Sequence, residues 1–255
     1  MTEPAPVLAP APPSSLLGLV RDGVMDAELA ALIWLTVEGG IPLVVAGGAV
    51  DERLCLRDAL LALVPEGAPT VRLAGADEDF AWMPHAGELG WRSTAPSRPM
   101  QPGKPGAVMV AALEDRDGGT WGEAGHLAIR ALTAGYSLIA TAGGATLEDV
   151  LARLAQPPVS AIDDELTRLG VVLLLGDGPR VGIAHYLRPV ARDPGGHVQR
   201  PAPAALATWS AKASRYDHFA WGLVAELAGR IGGRPIAFER EQARRASVIA
   251  GATRA

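Results

Sequence analysis

Cysteine is almost absent from this 255-residue chain: Cys55 stands alone. That excludes an internal disulfide framework and any cysteine-based zinc site, and it suits a cytoplasmic setting. Lysine is nearly absent too. Lys104 and Lys212 are the only two, so the positive charge is carried almost wholly by arginine. No apolar run approaches the ~18 residues of a membrane span. The acidic, proline-rich start MTEPAPVLAPAPPSS has no basic segment ahead of an apolar one, which argues against a signal peptide. No H-E-x-x-H, G-x-S-x-G or G-x-G-x-x-G pattern occurs. His85, His126, His185, His197 and His218 are scattered without metal-ligand spacing. The net charge of −5, with both signs interspersed, gives no reason to expect a nucleic-acid partner.

What is there is a globular composition, 49% hydrophobic, with alternating strand and helix patterns. Asp26 is a suitable N-cap for a helix over 27–38, stopped by Gly39-Gly40. A short apolar strand follows over 42–46, then a helix over 52–64 and a strand over 70–74. After a long Gly-, Pro- and Trp-rich segment, 75–106, strands are predicted at 107–113 and 136–141. Thr120 to Glu123 reads as a capping box opening a helix to 133, and Thr146 to Asp149 as another opening a helix to 155. A short helix at 160–169 precedes a hairpin, 170–175 with 180–189 across Asp177-Gly178. Helices at 216–231 and 235–249 end the chain. Strands apolar on both faces, alternating with helices, predict an α/β fold with a mainly parallel sheet and helices on both faces. The expected organisation is a flexible Pro-rich tail at 1–15, a core at 16–200 and a C-terminal helical extension at 201–255.

The stretch IPLVVAGGAVDERLCLRDALL, 41–61, reads as strand, glycine turn and helix. That is where a phosphate-binding P-loop sits, and ligands of such sheets lie beyond the carboxyl ends of strands. Laying G-x-x-x-x-G-K-[ST] from Gly47 puts Glu52, Arg53 and Leu54 on the last Gly, the Lys and the Ser/Thr. Arg keeps a positive charge in a bulkier form. Leu54 offers Mg²⁺ no oxygen, and Cys55 is no substitute. Two like charges about 4 Å apart repel by roughly 4 kcal/mol at an effective dielectric near 20, so Glu52 opposes a phosphate there. Asp51 is suited instead to N-cap the helix. The plainer reading of Gly47, Gly48 and Arg53 is a tight turn with a surface arginine.

The order of these segments resembles the RecA-like P-loop motor core of the type II/IV secretion ATPases over roughly 25–190. The resemblance rests on a helix ahead of the P-loop strand, the acidic GADEDFAW (75–82), a strand ending in an acid, VMVAALEDRD (108–117), and LIATAGGATLEDVLARL (138–154). It implies ATP and Mg²⁺ as cofactors of a working site, with Gly47, Gly48 and Arg53 at the nucleotide and Glu114 and Glu78 as the catalytic acids. It also implies oligomers with secretion-ATPase-like subunits and peripheral contact with a membrane complex. The chain departs from the family pattern at Glu52 and Leu54, at Ala74 and Gly75 where acids would stand, and near Gly143, where a histidine box has no histidine. Two functions stay open on the sequence: a non-hydrolysing assembly or regulatory subunit, and a working ATPase that uses Arg53 and Glu114 in unusual roles.

Overall fold

The computed structural model describes residues 14–84, 86–92, 107–176, 178–192, 195 and 197–254. His85, Asp177 and nearly all of the expected tail lie outside them. Among the described residues, an eight-stranded sheet runs in the order β10-β9-β6-β5-β1-β4-β3-β2, and β7 (Ala191–Arg192) pairs apart with β8 (Val198–Gln199). Five neighbours, β5 (Val171–Leu175), β1 (Leu43–Gly47), β4 (Ser137–Ala142), β3 (Val108–Leu113) and β2 (Thr70–Arg72), are parallel. β6 (Val181–Tyr186), β9 (Ala204–Ser210) and β10 (Arg215–His218) continue the sheet antiparallel. The fold is thus α/β with a mainly parallel sheet, as the alternation predicts.

Side-chain alternation splits each central strand between two cores. Leu43 and Val45 of β1 join one, Val44 and Ala46 the other. The first core is covered by α1 (Ser14–Arg21), α2 (Ala27–Glu38), α3 (Val50–Leu60), α7 (Val224–Arg230) and α8 (Pro235–Arg254). The second is covered by α4 (Gly122–Ala131), α5 (Leu147–Ala155) and α6 (Asp163–Leu166), with Phe80, Trp82 and Met83 of the long loop. Phe80 and Trp82 are core anchors, stacked edge-on to Trp91 and Tyr136.

Asp26 caps α2 through a 2.9 Å bond from the Leu29 N–H, and Thr146 and Asp149 exchange hydrogen bonds at the start of α5. Four local expectations fail. Thr120 is not the cap of α4: the helix starts from Trp121, and the buried Thr120 hydroxyl has no partner. Asp51 is not the cap of α3: that position is Ala49. Ser160 to Leu169 is helical only from Asp163. Residues 216–218 are strand, because β10 adds to β9 at the sheet's edge; a 3-10 turn over Ala220–Leu223 then leads into the α-helix at Val224.

Chain direction defines the crevice. From β1 the chain passes through α3 on the first face to β2, and from β4 through α5 on the second face to β5. Adjacent strands whose connections part in this way form the topological switch point where ligands of open α/β sheets bind.

Candidate functional site

The turn at that switch point is short. β1 ends at Gly47 and α3 begins at Val50, leaving Gly48 and Ala49 between. Both glycines have positive φ, +73° and +55°, where a side chain is strained. A Cβ on Gly47 would also stand 2.5 Å from the Leu175 carbonyl oxygen. The Gly47 N–H donates to the Gly144 carbonyl at 2.9 Å, which stitches the β1 and β4 turns together across the crevice. The Ala49 N–H donates to Glu52 Oε2 at 2.9 Å, so the carboxylate satisfies the start of its own helix. Glu52 sits at the third position of α3, where a carboxylate also meets the helix's positive end.

Arg53 is buried, at 7% exposure, not a surface residue. Its Nε and Nη2 form a fork on Glu114, at 3.3 and 2.9 Å, and its Nη1 donates to the Gly47 and Gly48 carbonyls at 3.0 and 2.8 Å. Four bonds use most of what a guanidinium can donate. The turn therefore presents carbonyls inward to an internal cation. Glu114, just past β3, is equally buried. Burial alone would raise its carboxyl, but the Arg53 and Thr141 hydrogen bonds and the Arg53 and Arg116 charges outweigh that and hold it below the ordinary range. Thr141 on β4 is buried beside this pair, with its hydroxyl turned to the Glu114 carboxylate.

Glu78 is committed to its own loop. Its carboxylate accepts from the Ala74 N–H at 2.7 Å, the Phe80 N–H at 2.8 Å and Trp82 Nε1 at 3.1 Å. These bonds hold a turn in which Phe80 sits at φ +50°, a conformation costing a bulky residue roughly 1–2 kcal/mol. The structure thus brings Gly47, Gly48, Arg53 and Glu114 into one network and gives Glu78 a separate one. The groups around the turn do not fit Mg-ATP: the cation is consumed, Leu54 supplies no oxygen, and the Glu52 carboxylate occupies the helix start.

Arg57 is a residue the motif search passed over. It is buried one turn beyond Arg53, donating to the Ala111 carbonyl at 3.2 Å and pairing with Asp58 at 2.8 Å. The signal was present in sequence, since Arg53, Leu56, Arg57 and Leu60 follow the i, i+3, i+4, i+7 spacing of a buried face. A second missed cluster lies on the other face. Glu165 accepts from Arg130 Nε at 2.8 Å and stands 3.0 Å from His126 Nε2. Burial would raise its carboxyl, but the Arg130 and Ile162 N–H bonds bring it below the ordinary range.

No family model matches the chain, and no curated protein matches it. Among solved structures, the VirB11 ATPase of the Brucella suis type IV secretion system, crystallised with sulphate, is similar at 15% identity with a TM-score of 0.38. The alignment covers 75% of this chain and 55% of that one.

Proposed function

We propose that this chain is a non-hydrolysing relative of the secretion ATPases, an assembly or regulatory subunit that acts through its shape and contacts. The observation that carries the proposal is the occupation of the switch-point turn by the chain's own groups. Arg53 neutralises Glu114 and binds both turn carbonyls, so the charge that would meet a phosphate is spent on an internal carboxylate. Glu114, the acid that would orient water or metal, is paired on the other side of the same bond. Relatives in the resembled family work as oligomers. A subunit without its own chemistry would keep the sheet and helices that make those contacts.

The test is turnover. Phosphate release from saturating Mg-ATP is expected to be no faster for the wild type than for Glu114→Gln. Turnover that the substitution abolishes overturns the proposal and favours a working ATPase. Sedimentation supplies the second arm: assembly with itself or with an intact secretion ATPase is expected, and a persistent monomer in both cases overturns the subunit role.

A further inference from the structure

Next to the switch-point turn, a separate cavity of about 210 Å³ opens over the carboxyl ends of β2 and β3. Arg57, Arg72 and Arg116 line it together with Leu54, Leu73 and Gly118, and no carboxylate is among the described lining residues. The charges around it are unbalanced. Two arginines share each of two acids: Arg53 and Arg116 on Glu114, Arg57 and Arg72 on Asp58. Four guanidinium groups thus face two carboxylates. Arg53, Arg57 and Glu114 are nearly inaccessible to water. The exposed Asp115 and Asp117 are screened by solvent and repay little of the excess. One donor is also orphaned. Arg116 Nε lies 3.3 Å from Glu114 Oε2 but is buried without a hydrogen bond. Buried donors without partners are rare and call for an explanation.

We propose that this cavity binds a phosphate-class dianion through Arg57, Arg72 and Arg116. Two negative charges would balance the two Arg–acid–Arg groups, and tetrahedral oxygens would supply acceptors for the Arg116 guanidinium lining the cavity and for the partly exposed Arg72 fork. The cavity is smaller than the ~300–1,000 Å³ usual for drug-sized ligands, so it suits inorganic phosphate or a small phosphomonoester rather than a nucleotide. The site lies beyond β4 from the turn, over β3 and β2 at the outer end of the parallel sheet, and Gly47, Gly48 and Arg53 are not among its lining residues. It stands or falls independently of whether ATP is hydrolysed.

Calorimetric titration of the full chain with inorganic phosphate at fixed ionic strength tests this, since simple screening is then constant. One saturable site is expected, retained in the surface control Arg240→Gln. Arg72→Gln and Arg116→Gln are each expected to weaken it by about tenfold or more. Arg72 is largely exposed, so its variant folds even if the Arg116 variant does not. Glycerol 3-phosphate and ATP, added in parallel, separate the sources. Glycerol 3-phosphate that binds like phosphate supports a small phosphomonoester, whereas ATP that binds more tightly than phosphate and loses that advantage in Arg53→Met overturns the small-anion site. No saturable phosphate binding, or binding that both arginine variants keep, also overturns it.

Discussion

At the scale of single residues, Arg53 is the pivot. It closes the glycine turn through two carbonyls and neutralises a buried acid, so it joins backbone geometry to electrostatics. Removing one partner of such a pair is far worse than never having had it, because the other charge stays buried. Arg53→Met should therefore lower stability by about 3 kcal/mol near neutral pH, read as a fall in the urea midpoint at constant slope. The loss should be acid-sensitive. Glu114 has a folded-state pKa below its ordinary value of 4.5, so its pairing contributes above that pH and fades as pH falls through the folded value. The gap between wild type and Arg53→Met is expected to narrow on acidification below pH 4.5. A gap that stays constant would mean that Glu114 charge is not what Arg53 serves.

At the scale of elements, Asp26 ties the start of α2 to the edge of the sheet. One oxygen caps the helix, and the other lies 2.9 Å from His218 Nε2 on β10, with Glu28 at 3.7 Å. Burial disfavours His218 protonation, but Asp26, Glu28 and Asp217 outweigh it and raise the pKa above 6.5. This pairing contributes fully below pH 6.5 and is lost as pH rises through the folded value. Asp26→Ala should cost roughly 1–2 kcal/mol for the cap, whereas Asp26→Asn should keep the cap and lose mainly the increment present at low pH. Equal losses for the two variants at all pH values would refute the division. The cap half of this arrangement is legible in sequence, as Asp ahead of an apolar-periodic run. The His218 half is not, because residues 192 positions apart meet only through β10 joining the sheet.

At the scale of the whole molecule, α2 is the clearest case of a long-range requirement. Every residue from Leu29 to Val37 is buried, on all sides of the helix. The reason is α8, which packs over α2 on the side away from the sheet. Arg245 of α8 lies 4.3 Å from the Trp34 ring and pairs with Glu38. A chain cut after residue 233 would uncover that second face of α2. Such a truncation is expected to broaden the unfolding transition and to expose dye-binding apolar surface; a sharp transition at the original midpoint would show that α8 is dispensable.

The sequence by itself determined the strand–helix alternation, the fully apolar central strands, the caps of α2 and α5, and the chemical misfit of Glu52 and Leu54 to a phosphate loop. These follow from local periodicity and side-chain chemistry, which need no knowledge of neighbours. Only the tertiary structure decided the partners: Arg53 with Glu114, Gly47 with Gly144, Asp58 between Arg57 and Arg72. It also decided that β9 and β10 extend the sheet, because edge pairing depends on which strand lies beside them. The physical reason is the same in each case. A buried charge or an open sheet edge is settled by groups distant in sequence, and their coming together is a property of the folded chain alone.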